Sequence, residues 1–182
     1  MPPKGLAILI GAGPTSGAGI ARVLTSPSNG NLALAILSRK PDNLNKVAEG
    51  VQSSTSNPVI GFPSDTTPEK LSKAFADMRS HPSFKNLKLK VAVFHVKNSS
   101  RKPFLEETHV DFMNSLNTYV GDAMTFAQEA VKRMFEDSGK TPLADGGEKK
   151  GTIIITGTLG VMRTNTNFAA YGASRSGARS LA

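Results

Sequence analysis

Leu6-Ala7-Ile8-Leu9-Ile10-Gly11-Ala12-Gly13-Pro14-Thr15-Ser16-Gly17-Ala18-Gly19 is the stretch whose reading decides the fold of this chain. Its first five residues are apolar without alternation, which predicts a strand covered on both faces, as in a parallel sheet. The glycines that follow end the strand and open a helix, expected over Ile20 to Leu24 with Ile20, Val23 and Leu24 on one side. The loop spacing is Gly13-x-x-x-Gly17-x-Gly19. Such glycines serve a tight strand-to-helix turn. They also let backbone approach a phosphate at a helix N-terminus, where unpaired N–H groups and the positive dipole end favour an anion. In this context phosphate binding by Gly13, Thr15, Ser16, Gly17 and Gly19 is the favoured reading.

Outward from that unit the same alternation repeats. Leu32 to Leu37 reads as a second buried strand, followed by a helix from Pro41 to about Ser53 with Pro in its first turn. Val59 to Phe62 is a third strand, and Thr67-Pro68-Glu69-Lys70 reads as the cap and first turn of a helix with Leu71, Phe75 and Met78 on one face. Leu89 to Val96 is a fourth strand. Val110 to Phe135 carries the longest helical periodicity, and Ser138 to Lys150 is a polar surface loop. Ile153 to Ile155 is a fifth strand within an edge segment Thr152 to Thr156, and a last helix starts near Ala169. Strands alternating with helices predict one α/β domain over residues 1–182. It is a Rossmann-like, doubly wound parallel sheet of order 3-2-1-4-5.

The 182 residues suffice for one domain with a substantial core. There are no cysteines, so disulfides, thiolate nucleophiles and Cys-ligated zinc are excluded, and no metal site is expected. No apolar run approaches membrane-spanning length, and the N-terminal apolar stretch reads as a strand rather than a signal peptide. A cytoplasmic protein is expected. The net charge of +8 comes from scattered Lys and Arg without interleaved aromatics, so nucleic acid is not the expected partner. The charge is solvated surface or an attraction for an anionic ligand.

The second strand ends Leu37-Ser38-Arg39-Lys40, and Asp65 follows the third. Near the C-terminus a β-run leads to Thr158, with Tyr171 thirteen residues later and Arg175 four beyond it. Arg175 is one helical turn from Tyr171 and shares its face. A phenol gives up its proton more readily beside a cation, and a neighbouring hydroxyl can hold a carbonyl oxygen. His95, at the end of the fourth strand, reads better as a packed core histidine than as a base.

These motifs together resemble the short-chain dehydrogenase/reductase family, in which Ser, Tyr and Lys move protons while a nicotinamide cofactor moves hydride. The resemblance implies Thr158, Tyr171 and Arg175 as catalytic residues, Thr replacing Ser and Arg replacing Lys. It implies a small-molecule carbonyl or alcohol substrate and a homo-oligomer. A Ser38–Arg39 pair where an acid would select NAD(H) favours NADP(H). Asp65 matches the family's acceptor for the adenine amine and reads equally as a helix-capping residue. The family's Asn-Asn-Ala-Gly stretch falls on Phe94-His95-Val96-Lys97, and its catalytic Asn falls on Tyr119. The sequence stops seven residues after Arg175, where the family's fold has two strands to go, so a C-terminally truncated domain is expected. Two other readings stay open: a dinucleotide-binding protein of the same fold with little turnover, and a truncated product without independent function.

Overall fold

A computed structural model describes residues 1–98, 100–159, 162–163 and 166–181. Five strands form one parallel sheet: β1 (Leu6–Ile10), β2 (Ala33–Ser38), β3 (Val59–Pro63), β4 (Leu89–Phe94) and β5 (Thr152–Ile155). Their order is β3-β2-β1-β4-β5, as expected. The helices between them are α1 (Ser16–Thr25), α2 (Pro41–Gln52), α3 (Pro68–Ser80), α4 (His109–Leu116), α5 (Asp122–Ser138) and α6 (Ala169–Arg179). Among the described residues no helix is long and apolar enough to cross a membrane.

The unbroken apolar run of β1 is explained by its two neighbours in depth. Successive side chains of a strand point to opposite faces. Leu6, Ile8 and Ile10 enter one core with Leu71, Phe75, Met78 and Phe126 of α3 and α5. Ala7 and Leu9 enter the other with Ala18, Ala21, Leu44 and Val47 of α1 and α2. The first core is closed by rings, with Phe126 packed against Phe94 and Phe75 at centroid distances of 5.7 and 5.8 Å.

Three local expectations are corrected. The first helix starts at Ser16 rather than Ile20, and its buried side is Gly17, Ala18, Ala21 and Thr25, while Val23 is 58% exposed. Small residues on that side let the helix lie close to the sheet; a Cβ on Gly17 would stand 2.9 Å from Ala12 Cα. The long helix is interrupted: a π-helical turn over Asn117–Gly121 separates α4 from α5 and carries the fully buried Tyr119. Its first segment is started by a capping box, in which Thr108 and Asp111 satisfy each other's backbone N–H groups. Thr67 holds the N-cap position of α3 as expected, but the capping bond expected of its side chain is not made. Asp65 Oδ1 instead accepts from the Thr67 N–H at 3.0 Å and its hydroxyl at 2.6 Å.

At the end of β1 the chain leaves the sheet through Gly11, with φ of +88°. A Cβ there would lie 2.1 Å from the His95 carbonyl oxygen, so both the backbone conformation and the space exclude a side chain. Gly11→Ala is therefore expected to lower unfolding stability by more than about 2 kcal/mol in urea denaturation. A loss of less than about 0.5 kcal/mol, the scale of an indifferent substitution, would show that the strand exit can relax.

Candidate active site

The C-terminal ends of the strands converge where the strand order reverses between β1 and β4, the place in such sheets where a crevice opens. A cleft of about 280 Å³ lies there, with Gly11, Gly13, Ser38, Arg39, Asp65 and Lys97 in its wall. The loop glycines divide into two kinds. Gly17 is a packing residue, as above. At Gly13 and Gly19 an added Cβ would find no atom within 4 Å, so their bareness leaves open space in front of α1. Thr15 is the N-cap residue of α1, exposed and without a side-chain capping bond, and the helix has no acidic residue in its first turn. Its positive end is therefore not offset locally.

Ser38 and Arg39 reach the cleft from the end of β2, Arg39 exposed and Ser38 half-buried. Asp65 reaches it from beyond β3 while also holding Thr67; that hydrogen bond, with Lys70 at 3.2 Å, keeps its carboxyl below the usual carboxylate range. Thr66 next to it donates to Asp122 at the start of α5, whose carboxyl is pushed up by burial. Lys97, which occupies the position of a glycine in the resembled stretch, is exposed along the same cleft.

Tyr171 and Thr158 meet. The Tyr171 hydroxyl donates to Thr158 Oγ1 at 2.9 Å, joining the first turn of α6 to the loop after β5. Phe168 supports the tyrosine edge-on at 5.8 Å. Between Thr158 and Tyr171, residues 160–161 and 164–165 lie outside the described residues. Met162 is exposed and its sulfur accepts from Arg179 at 2.8 Å; it lines a second cavity of about 430 Å³ together with Thr158 and Leu159.

Arg175 shares Tyr171's helix face but its fork is engaged elsewhere. Nη1 donates to the Thr156 carbonyl at 2.8 Å and Nη2 to the Val96 carbonyl at 3.1 Å. The guanidinium lies 3.7 Å from the centroid of the Tyr119 ring and 5.4 Å from that of Tyr171. The side chain is buried, and its Nε has no hydrogen-bond partner among the described residues. Its charge is thus met by carbonyl dipoles and aromatic faces. The Tyr119 hydroxyl is itself bonded to the backbone of Asn98.

His95 is not merely a packed core histidine. Its half-buried ring spans the site, Nε2 at 2.8 Å from Ser16 Oγ and Nδ1 at 3.0 Å from Thr156 Oγ1. Burial, and then the charge of Arg175, hold its pKa below the ordinary value. The signal was present in its place at a strand end beside the loop, but only the fold brings Ser16 and Thr156 to it. Among the described residues no group of His, Asp and Glu is gathered to hold a metal ion.

No protein-family model matches this sequence, and no curated protein does. Solved structures do match in fold. A short-chain dehydrogenase from Rhodopseudomonas palustris superposes with a TM-score of 0.79 at 18% identity, over 99% of this chain and 76% of its own. An alcohol dehydrogenase from Thermococcus sibiricus, solved in complex with 5-hydroxy-NADP, gives 0.80 at 17% identity, over 97% and 68%. A 3-oxoacyl-[acyl-carrier protein] reductase from Brucella melitensis gives 0.79 at 19% identity, over 98% and 67%. The chain spans 60% to 76% of the length of such structures. Its fold is that of the short-chain dehydrogenases/reductases.

The Arg175 fork ties the end of β4 to the end of β5, a task that a single ammonium cannot repeat while stacking on Tyr119. Arg175→Lys is expected to lower stability by about 1–3 kcal/mol in thermal or chemical unfolding. Unchanged stability would mean that the clamp carries nothing.

Proposed function

We propose that residues 1–182 form one dinucleotide-binding domain that acts as an NADP(H)-dependent oxidoreductase, interconverting a carbonyl and an alcohol on a small molecule. The observation that carries this reading is the Tyr171–Thr158 hydroxyl pair, 2.9 Å apart at the C-terminal end of a parallel sheet that also opens the cleft. The residues present fit the cofactor. Gly13 and Gly19 leave the space that backbone approach to phosphates needs, and Ser38 with Arg39 offers a hydroxyl and a planar cationic fork. When bound, the nicotinamide supplies or accepts hydride.

The chain's own residues then handle the proton and the oxygen. Thr158 donates a hydrogen bond to the substrate oxygen and orients it. Tyr171 gives its hydroxyl proton to that oxygen in reduction and takes it back in oxidation. Arg175, beneath the ring with its guanidinium 5.4 Å from the centroid, places a cation at the pair without touching the reacting hydroxyl. A second reading, a dinucleotide-binding protein with little turnover, is favoured by one specific feature. Arg175 spends its fork on backbone carbonyls, and Tyr119, where the resembled family has its catalytic Asn, spends its hydroxyl on Asn98.

Two measurements test the assignment. Arg39→Ala is expected to weaken NADPH binding by roughly 1–3 kcal/mol, the range for hydrogen bonds to a charged group, and to leave NADH nearly unchanged. Equal losses for both cofactors would remove the basis for the NADP(H) preference. Tyr171→Phe deletes the reacting hydroxyl alone, so cofactor affinity should survive while carbonyl reduction falls by about 100-fold or more. A variant as active as the parent would make Tyr171 a packing residue and leave the binding-protein reading.

A further inference from the structure

One assignment of donors makes every hydrogen bond around His95 at once. Thr156 Oγ1 donates its only proton to the Phe94 carbonyl at 3.2 Å, so toward His95 it accepts. In that assignment the proton on the ring sits on Nδ1. A neutral ring then offers Nε2 as an acceptor, and Ser16 Oγ donates to it at 2.8 Å. The chain of bonds runs from Ser16 to His95 to Thr156 to Phe94, from the first residue of α1 across to the ends of β5 and β4. In this arrangement the Ser16 hydroxyl has no proton left for a ligand. It shows only lone pairs toward the start of α1, the wrong polarity for a phosphate oxygen.

We infer that His95 is a proton-linked positioning residue of the glycine loop: on taking up a proton at Nε2 it reverses its bond to Ser16, and the Ser16 hydroxyl then donates outward to an anionic phosphate held at the start of α1. One proton arrives from solvent, the Nε2–H donates to Ser16 Oγ, and no other bond is made or broken. The bond to Thr156 is kept, because Nδ1–H donates in both states. The inference rests on the dinucleotide reading of the cleft. Ser16 is exposed, beside the open space at Gly13 and Gly19, so its hydroxyl faces the side from which a ligand arrives.

Among the described residues Arg175 of α6 is the charged group that acts on the ring, while Ser16 of α1 and Thr156 after β5 are neutral. Lys97, two residues on, is exposed in the cleft wall with Arg39 and Asp65. In the free protein burial and Arg175 oppose the imidazolium. A phosphate supplies the counter-charge that is otherwise missing, so ligand and proton bind together. The sign differs between the two states. For the free fold, a histidine pKa held below its ordinary 6.5 contributes stability above that value, and this is lost as pH falls through the folded pKa. For the loaded protein, falling pH strengthens binding.

The test is calorimetric titration of NADP+ and of NAD+, which lacks the 2′-phosphate, between about pH 5 and about pH 8, a window around the histidine range. Affinity is expected to rise as pH falls, by up to about tenfold per pH unit, the limit for one linked proton. Proton uptake should appear as a buffer-dependent enthalpy. His95→Gln should bind with the pH trend of the wild type removed. A wild type whose affinity for either ligand follows the same pH trend as His95→Gln would overturn the inference while leaving the cofactor reading intact. Failure of both dinucleotides to bind at any pH would overturn both. Nitrogen-15 NMR of the wild-type imidazole decides the matter even if the variant does not fold. The free protein should show the Nδ1–H tautomer, converting to imidazolium on adding NADP+ at a pH where the free ring is neutral. An Nε2–H tautomer, or a ring unchanged by saturating ligand, would overturn it.

Discussion

Every side chain of β1 is buried, and alternate ones enter different cores. A central parallel strand of this kind is stable only when helices cover both of its faces. That constraint forces the connections over the sheet on one side and then the other, and so creates a reversal of strand order between β1 and β4. The cleft is a consequence of that reversal. The loop from Gly11 to Gly19, the ends of β2 and β3, and the residues after β4 all face it because the same strands end there.

β4 is held at both ends by arginines from helices. Below it, Arg133 of α5 pairs with Asp137 at 2.8 Å, and Asp137 accepts from the Leu89 N–H at 2.7 Å. Above it, Arg175 of α6 takes the carbonyls of Val96 and Thr156. The two differ in how the charge is met. Arg133 has a carboxylate, and Arg175 has dipoles and ring faces, so the upper cation remains uncompensated by any anion in direct contact among the described residues. A positive charge kept that way lies beneath Tyr171 and beside His95, whose protonation it opposes.

The sequence carried the architecture well where periodicity was strong. Apolar runs located all five strands within a residue or two, and Pro41 marked the start of α2 correctly. It carried less where small residues or tertiary contacts decide. Gly17, Ala18 and Ala21 look like loop or neutral positions by composition, yet they form the buried side of α1 because close approach to the sheet favours them. The apolar spacing from Phe112 to Val131 reads as one helix, since periodicity does not register the single widened turn at Asn117–Gly121.

By itself the sequence determined the alternating α/β order, the glycine loop at the head of α1, and the spacing that brings Tyr171 over Thr158. Those features depend on local periodicity and on short chain separations. Only the tertiary structure decided what the polar side chains bind. Ser16 and His95 are 79 positions apart, as are Val96 and Arg175. No local pattern encodes a hydrogen bond over such a separation. The bonds form because strands distant in sequence end side by side in one parallel sheet, which brings donors and acceptors of separate strands within reach of one another.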